Sequence, residues 1–310
     1  MYFEGETFDD LLRAGLQAIL ERGRPIKPSK WDALEIIGAT LRLTNPLARF
    51  SRTEDRGVLF SALGETLWYL SGSDEFEPIL HYIPRYRERC ETPPNVTRAE
   101  AAYGPRLASQ MPFIVEKVQQ RDTRKAVISI YREADHGNEF DVPCTCTLQF
   151  LPRSDGLHAV AQMRSNDAFT GMAHDVFAFT FLHELLARTA GLPLGHYVHQ
   201  VGSFHLYEDD REGAARYLAG GLADNIPMDP MPEGDPWPAL GWLLEAEAAL
   251  RCGAPPSQTS GVEPYWRDLA DLLRVRPLRK AGDKDGLARI MCDMRSRCFR
   301  TFLQDELARA

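Results

Sequence analysis

The stretch 163–179, MRSNDAFTGMAHDVFAF, decides how the chain is read. Charged and small polar residues (Arg164, Ser165, Asp167) interrupt the apolar positions before Gly171, and Asp175 then stands alone in a run that continues VFAFTFLHELLA. From Phe177 to Ala190 the apolar spacing is helical, so Asp175 falls inside a buried helix. A buried carboxylate is costly unless something pairs with it, and a ligand is one candidate partner.

On either side of this stretch the patterns alternate between strand and helix. CTCTLQFLPRSDGLHAVAQMRS predicts two strands around an SDG turn, RKAVISIYR and EIIGATLRLTNP read as strands, and GSFHLYEDD is an extended run. Residues 6–22 form an amphipathic helix that stops at GRP, and GVLFSALGETLWYLSGS is a second helix ended by glycine and serine. After Asp210 the character changes: the proline-rich NIPMDPMPEGDPWP leads into further helical segments. Strands without regular βαβ alternation favour an α+β layered fold. The expected organisation is a core over 1–210 and a helical elaboration over 211–310, packed on the same domain.

The chain has 310 residues, 44% of them hydrophobic, enough for a sizeable core. Its net charge of −8, from 44 acidic and 36 basic residues, carries no basic excess of the kind that binds nucleic acid polymers. No stretch approaches the roughly 20 uninterrupted apolar residues that span a bilayer. The opening MYFEGETFDD lacks a basic segment followed by an apolar one, and the six cysteines suit a reducing compartment. No membrane role and a cytoplasmic location are expected.

Several residues invite chemical readings. Cys144 and Cys146 in VPCTC share a strand face, but zinc pairs need C-x₂₋₄-C and a second ligand pair, which is missing, so no metal is expected. On its own, such a cysteine is more often a small buried hydrophobe than a nucleophile. HELLAR lacks the second histidine of a zinc-protease helix, which leaves His183 and Glu184 on a helix surface or in local hydrogen bonds. His205 and Tyr207, two apart in an extended run, can point into one cleft or pack as a hydrogen-bonded pair.

Read in order, TRK (123–125), PC (143–144), MRSNDAFTGMAHDV (163–176) and FHLY (204–207), with GETLWYLSG (64–72) and AYGPRL (102–107) upstream, the chain resembles the thymidylate synthase family over roughly residues 20 to 210. The last hundred residues do not follow that pattern. The resemblance implies a mixed β-sheet layered with helices. It also implies a thiol, Cys144, that adds to C6 of a pyrimidine nucleotide and makes C5 attack 5,10-methylenetetrahydrofolate, with Cys146 as its structural neighbour. Such a thiol is expected to have a lowered pKa, with Arg164 as the cause.

Carried over residue by residue, the resemblance puts Arg164 and Ser165 on the phosphate, with Arg124 and Lys125 reaching across from the second subunit of a homodimer. Lys125 stands where the family has a second arginine, replacing a bidentate fork with a point charge. A basic residue of RPIKPSK would close over the phosphate; spacing does not choose among Arg24, Lys27 and Lys30, of which Lys30 is preferred. Glu65 would be the acid/base carboxylate, Tyr103 a polar partner, Asp167 a folate contact, Gly171 a close backbone approach, and His205 and Tyr207 the sugar contacts. Thr145 and His174 replace a histidine and a phenylalanine of the family, changes expected to make the site wetter.

Asp175 occupies the family's asparagine that pairs with uracil. Cytosine presents an amino donor and a bare N3, which a carboxyl sharing a proton matches better. The implied activity is conversion of CMP or dCMP to its 5-hydroxymethyl derivative, with water ending the reaction. Ala168, smaller than the family's valine, leans the sugar toward ribose. The rivals are a dUMP or cytidylate C5-methylase and a catalytically silent nucleotide-binding homologue.

Overall fold

A computed structural model describes residues 1–28, 30–51, 58–138, 140–220, 226–257 and 260–309. Among these, seven strands form one mixed sheet: β1 (Tyr2–Gly5), β2 (Arg24–Ile26), β3 (Ala33–Leu43), β4 (Ala126–Ser129), β5 (Thr145–Arg153), β6 (Gly156–Asp167) and β7 (Leu194–Tyr207). The order is β1-β3-β7-β6-β5-β4, with β2 paired to β3. The β1/β3 and β6/β7 pairs are parallel and the others antiparallel. The α+β reading holds, with strands close to where the patterns place them. The short β1 and β2, too brief to carry a period, are additions.

The helices are α1 (Phe8–Arg22), α2 (Leu59–Leu70), α3 (Phe76–Tyr82), α4 (Tyr86–Arg89), α5 (Tyr103–Ala108), α6 (Met111–Val118), α7 (Gly171–Ala190), α8 (Arg211–Ala219), α9 (Trp237–Arg251), α10 (Pro264–Ala281), α11 (Lys284–Asp293) and α12 (Arg297–Arg309). Helix α1 starts at a capping box, in which Thr7 accepts from the Asp10 amide and Asp10 from the Thr7 amide. Its apolar stripe, Phe8, Leu11, Leu12, Leu16 and Ile19, is buried against the sheet.

Helix α7 is different. From Met172 to Ala187 every residue but Asp175 and the partly exposed end is buried, so the helix has no solvent face. It lies between the sheet and α2, and Phe181 meets Trp266 of α10 edge-on at 6.5 Å. Its polar residues must therefore be satisfied internally. Glu184 accepts from Arg49 Nη2 at 2.5 Å and from the Met231 amide at 2.6 Å, and His183 bonds the Leu157 carbonyl at 2.6 Å. The helix-surface option for His183 and Glu184 is thereby corrected: both are buried, His183 against β6 and Glu184 against the chain after Asp210.

That later part of the chain is tied down at several points. Tyr82 donates to Glu247 at 2.6 Å, Arg251 to Glu77 at 2.6 Å, Arg276 to the Tyr82 carbonyl at 2.9 Å, and Trp237 to Thr189 at 2.9 Å. Leu240, Leu243, Trp266 and Leu269 belong to the same contiguous apolar cluster as Leu63, Phe181 and Phe204.

Between α5 and β5 the chain is held by a buried fork. Arg106 donates from Nη1 to Asp135 Oδ2 at 2.6 Å and from Nη2 to Asp135 Oδ1 at 2.8 Å, with further bonds to the Ile130 and Glu100 carbonyls. Removing one partner strands a buried charge. Arg106→Ala is expected to cost about 3–5 kcal/mol in urea unfolding, and Arg106→Lys to recover only part of it. A loss below about 1 kcal/mol for Arg106→Ala would show that the fork does not hold this segment.

Candidate active site

The ends of β6 and β7, the start of α7, the segment entering β5 and the segments around Lys30 and Arg89 converge on a cavity of about 570 Å³. Of the residues singled out from sequence, Lys30, Tyr103, Cys144, Arg164, Ser165, Asp167, Gly171, Asp175, His205 and Tyr207 lie on its wall. Glu65 and Ala168 are buried just behind it, and Arg124 and Lys125 are exposed beside the edge strand β4. Arg24 and Lys27 are not on the wall, so Lys30 is the cavity's contribution from that loop.

Cys144 is placed by the strand it precedes. The Arg164 amide donates to the Cys144 carbonyl at 2.8 Å, and the Thr145 amide donates to the Tyr103 hydroxyl at 3.2 Å. A register shift between Thr145 and Thr147 breaks the simple alternation of VPCTC, and of the two cysteines only Cys144 lines the cavity. The Arg164 guanidinium braces the same loop, donating to the Pro143 and Val142 carbonyls at 2.9 Å each. Burial pushes the Cys144 thiol up, while Arg164 draws it down and Asp175 adds to the rise. The expectation of a lowered thiol pKa is corrected: Arg164 pulls in the anticipated direction, but desolvation outweighs it.

Two carboxyls sit deep in the site. Glu65 of α2 accepts from Tyr69 at 2.7 Å, and burial raises its pKa. Tyr69 stacks on Tyr103 at 4.9 Å, linking Glu65 to the cavity wall. Asp175 is pushed up to about 8, first by burial and then by the charge of Glu65, against the pull of a hydrogen bond from Asn166 Nδ2 at 2.7 Å. The question raised by the sequence thus has a structural answer: the buried carboxylate is paired with Asn166. Asn166 lies within the opening stretch, yet only its burial at the end of β6 distinguishes it from the exposed polar residues around it.

The remaining wall residues divide between scaffold and cavity. Asp167 caps α7, with Oδ1 accepting from the Phe169 amide and Oδ2 from the Thr170 and Gly171 amides at 2.9 to 3.2 Å. A Cβ at Gly171 would come tight against Asn166 Nδ2, at 3.2 Å. His205 and Tyr207 meet edge-to-face at 4.8 Å, and Trp31 packs on Tyr207 at 5.1 Å on the cavity rim. Lys30 donates to the Arg89 carbonyl and faces Glu91 at 3.5 Å, joining two rim segments. Ala168 donates its amide to the His205 carbonyl at 2.8 Å, from behind the wall. His174 turns toward Ser61 and the Thr170 carbonyl, outside the lining.

Comparison with known proteins places these features. Residues 15–224 match the family model described as thymidylate synthase. Over 160 residues the chain is 31% identical to the deoxyuridylate hydroxymethyltransferase of Pseudomonas phage M6, an alignment covering 48% of this chain and 45% of that protein. The chain therefore matches about half the length of this curated relative. The family match takes in more than half of the chain, which belongs to the thymidylate synthase family.

Asp175 generates a stability signature. In the unfolded chain its carboxyl titrates near the usual value of 3.8; in the folded protein it titrates at about 8. Folding then favours the protonated form, so this contribution is fully present below about pH 4 and is lost as pH rises through about 8. Wild type should lose thermal stability relative to Asp175→Asn across that window, with the gap levelling off above it. A Tm difference that stays flat from pH 5 to pH 9 would mean that Asp175 is solvated as an ordinary carboxylate.

Proposed function

We propose that this member of the thymidylate synthase family hydroxymethylates C5 of a cytidylate, CMP in preference to dCMP. Members of the family act on a pyrimidine nucleotide with a folate. The observation that carries the cytosine reading is the desolvated carboxyl of Asp175 on the wall that also holds Cys144. A protonated carboxyl offers one donor and one acceptor side by side, complementary to the bare N3 and the amino group of cytosine. The hydroxymethyl outcome is supported by the name of the phage relative.

The residues divide the work by position. Arg164, next to Cys144, stabilises the thiolate that adds to C6, which becomes a thioether as the bond forms. As that bond forms, charge builds on the ring toward N3, where the Asp175 proton is donated, so C5 becomes nucleophilic. When bound, 5,10-methylenetetrahydrofolate supplies the one-carbon unit that C5 takes. Asp167 fits a pterin N–H, since it lines the cavity and its Oδ1 accepts only from the Phe169 amide, leaving a second lone pair. Glu65, protonated more readily than an ordinary carboxyl and tied to Tyr69, orders the water whose oxygen ends on the exocyclic carbon. The sum is nucleotide, methylenetetrahydrofolate and water giving the 5-hydroxymethyl nucleotide and tetrahydrofolate.

Lys30, Arg164 and Ser165 serve the phosphate, and His205 and Tyr207 the sugar. Arg124 and Lys125, exposed beside β4 and away from their own cavity, serve the cavity of a second copy in a homodimer. Ala168 and Lys125 supply the lean toward ribose, Ala168 by a side chain small enough to leave room for a 2′-hydroxyl. A second reading, deoxyuridylate as substrate, is favoured by the name of the phage relative.

Competing CMP, dCMP and dUMP in one reaction, with product mass and dihydrofolate absorbance followed together, tests this. The expected product is 5-hydroxymethyl-CMP with no dihydrofolate; a methyl product with one dihydrofolate per turnover would make the chain a methylase. Cys144→Ala should abolish turnover and leave nucleotide affinity within about tenfold, while Cys146→Ala should be mild. Asp175→Asn should shift preference from cytidylate toward uridylate by about 1–3 kcal/mol, and an unchanged preference would remove Asp175 from base recognition.

A further inference from the structure

Behind Asp175 runs a line of side chains that the reaction itself does not use. Tyr197 Oη lies 2.7 Å from His199 Nδ1, His199 Nε2 lies 2.9 Å from Asn166 Oδ1, and Asn166 Nδ2 lies 2.7 Å from Asp175 Oδ2. Tyr197, His199 and Asn166 are all buried, and none of the first two touches the cavity. We infer that Tyr197, His199 and Asn166 form a relay that fixes which oxygen of Asp175 carries the proton, and so which pyrimidine base the cavity accepts. The inference rests on the pyrimidine-nucleotide reading of the cavity given above.

The direction of every hydrogen bond follows from the atoms. An amide oxygen can only accept, so the proton of His199 is on Nε2. Burial pushes this imidazole down to about 3, which keeps it neutral and leaves Nδ1 bare. A bare nitrogen only accepts, so Tyr197 donates to it. The Asn166 amide, with Oδ1 on His199, has its NH₂ toward Asp175, and an NH₂ only donates. Oδ2 of Asp175 is held as the acceptor, and a proton on this carboxyl resides on Oδ1. Gly171 leaves room for the last bond, since a Cβ there would press on Asn166 Nδ2 at 3.2 Å.

The consequence for recognition is sharper than the presence of a carboxyl. A protonated carboxyl with its two oxygens free to exchange roles pairs with cytosine in one arrangement and with uracil in the other. Only an arrangement fixed from behind tells them apart. With Oδ2 toward the exocyclic group and Oδ1 toward N3, cytosine finds an acceptor for its amino group and a donor for N3, whereas uracil meets acceptor against O4 and donor against N3–H. Asn166 is thus a positioning residue, and His199 and Tyr197 act through it.

The test is nucleotide binding measured by titration calorimetry without folate, comparing CMP with UMP. Asn166→Leu and His199→Phe should lower the ratio of CMP to UMP affinity by about tenfold or more, with UMP affinity changing by less than about threefold. Tyr197→Phe, which removes a single oxygen and is the least disruptive to folding, should lower the ratio by a smaller factor. His199→Gln, which keeps an N–H donor for Asn166, should restore part of what His199→Phe loses. A ratio unchanged in Tyr197→Phe and His199→Phe, with both variants folded by thermal melt, would overturn the relay; so would equal losses of affinity for both nucleotides. If wild type prefers UMP and the variants lose that preference, the relay stands and the cytosine assignment falls.

Discussion

A helix with water on no side imposes its terms on everything around it. Helix α7 starts at the cavity, and the polar side chains it buries are drawn to partners inside the protein, with His183 Nδ1 an exception. At its start Asp167 receives three amides; a turn later Asp175 receives Asn166; at its far end Glu184 receives Arg49 and the Met231 amide. The first two of these arrangements make the cavity wall, and the third anchors the later helices. Catalytic geometry and scaffold are therefore set by the same requirement, that a buried polar group be paired.

The cavity balances opposed electrostatic effects. Arg164 favours the Cys144 thiolate, while burial and Asp175 disfavour it. The charge of Glu65 makes Asp175 harder to ionise, beyond the cost of burial. In the proposed reading, a substrate that brings a phosphate to Arg164 and a ring nitrogen to Asp175 would complete both groups, and burial would hold the Cys144 thiol quiet until then.

Much of this was legible from the residues. The strand pair around SDG, the helix through GETLWYLSG and the isolation of Asp175 rest on periodicity and on the cost of a buried charge, which are local properties. The joint placement of Cys144, Arg164, His205 and Tyr207 was legible through a motif order that sets register across β5, β6 and β7. What escaped were partners distant in sequence. Arg49 and Glu184 are 135 residues apart, and His199 and Asn166 are 33 apart. Nothing in the neighbourhood of any of the four marks it as paired. The sign of the Cys144 shift escaped for a related reason, since the number of atoms packed around a thiol is a property of the whole fold.

The bond from the Met231 amide to Glu184 carries a consequence for biosynthesis. A chain emerging from the ribosome presents α7 more than 40 residues before this partner is available, and Trp266 of α10 follows later still. Through that interval Phe181 lacks the cover of Trp266, and Glu184 lacks the Met231 amide. The sheet and α7 can form early, but the interior closes only when the last third of the polypeptide is out, which exposes nascent chains to premature association. Slow translation through the proline-rich segment before α9 would lengthen that exposure, and a chaperone that shields a single apolar helix would shorten it.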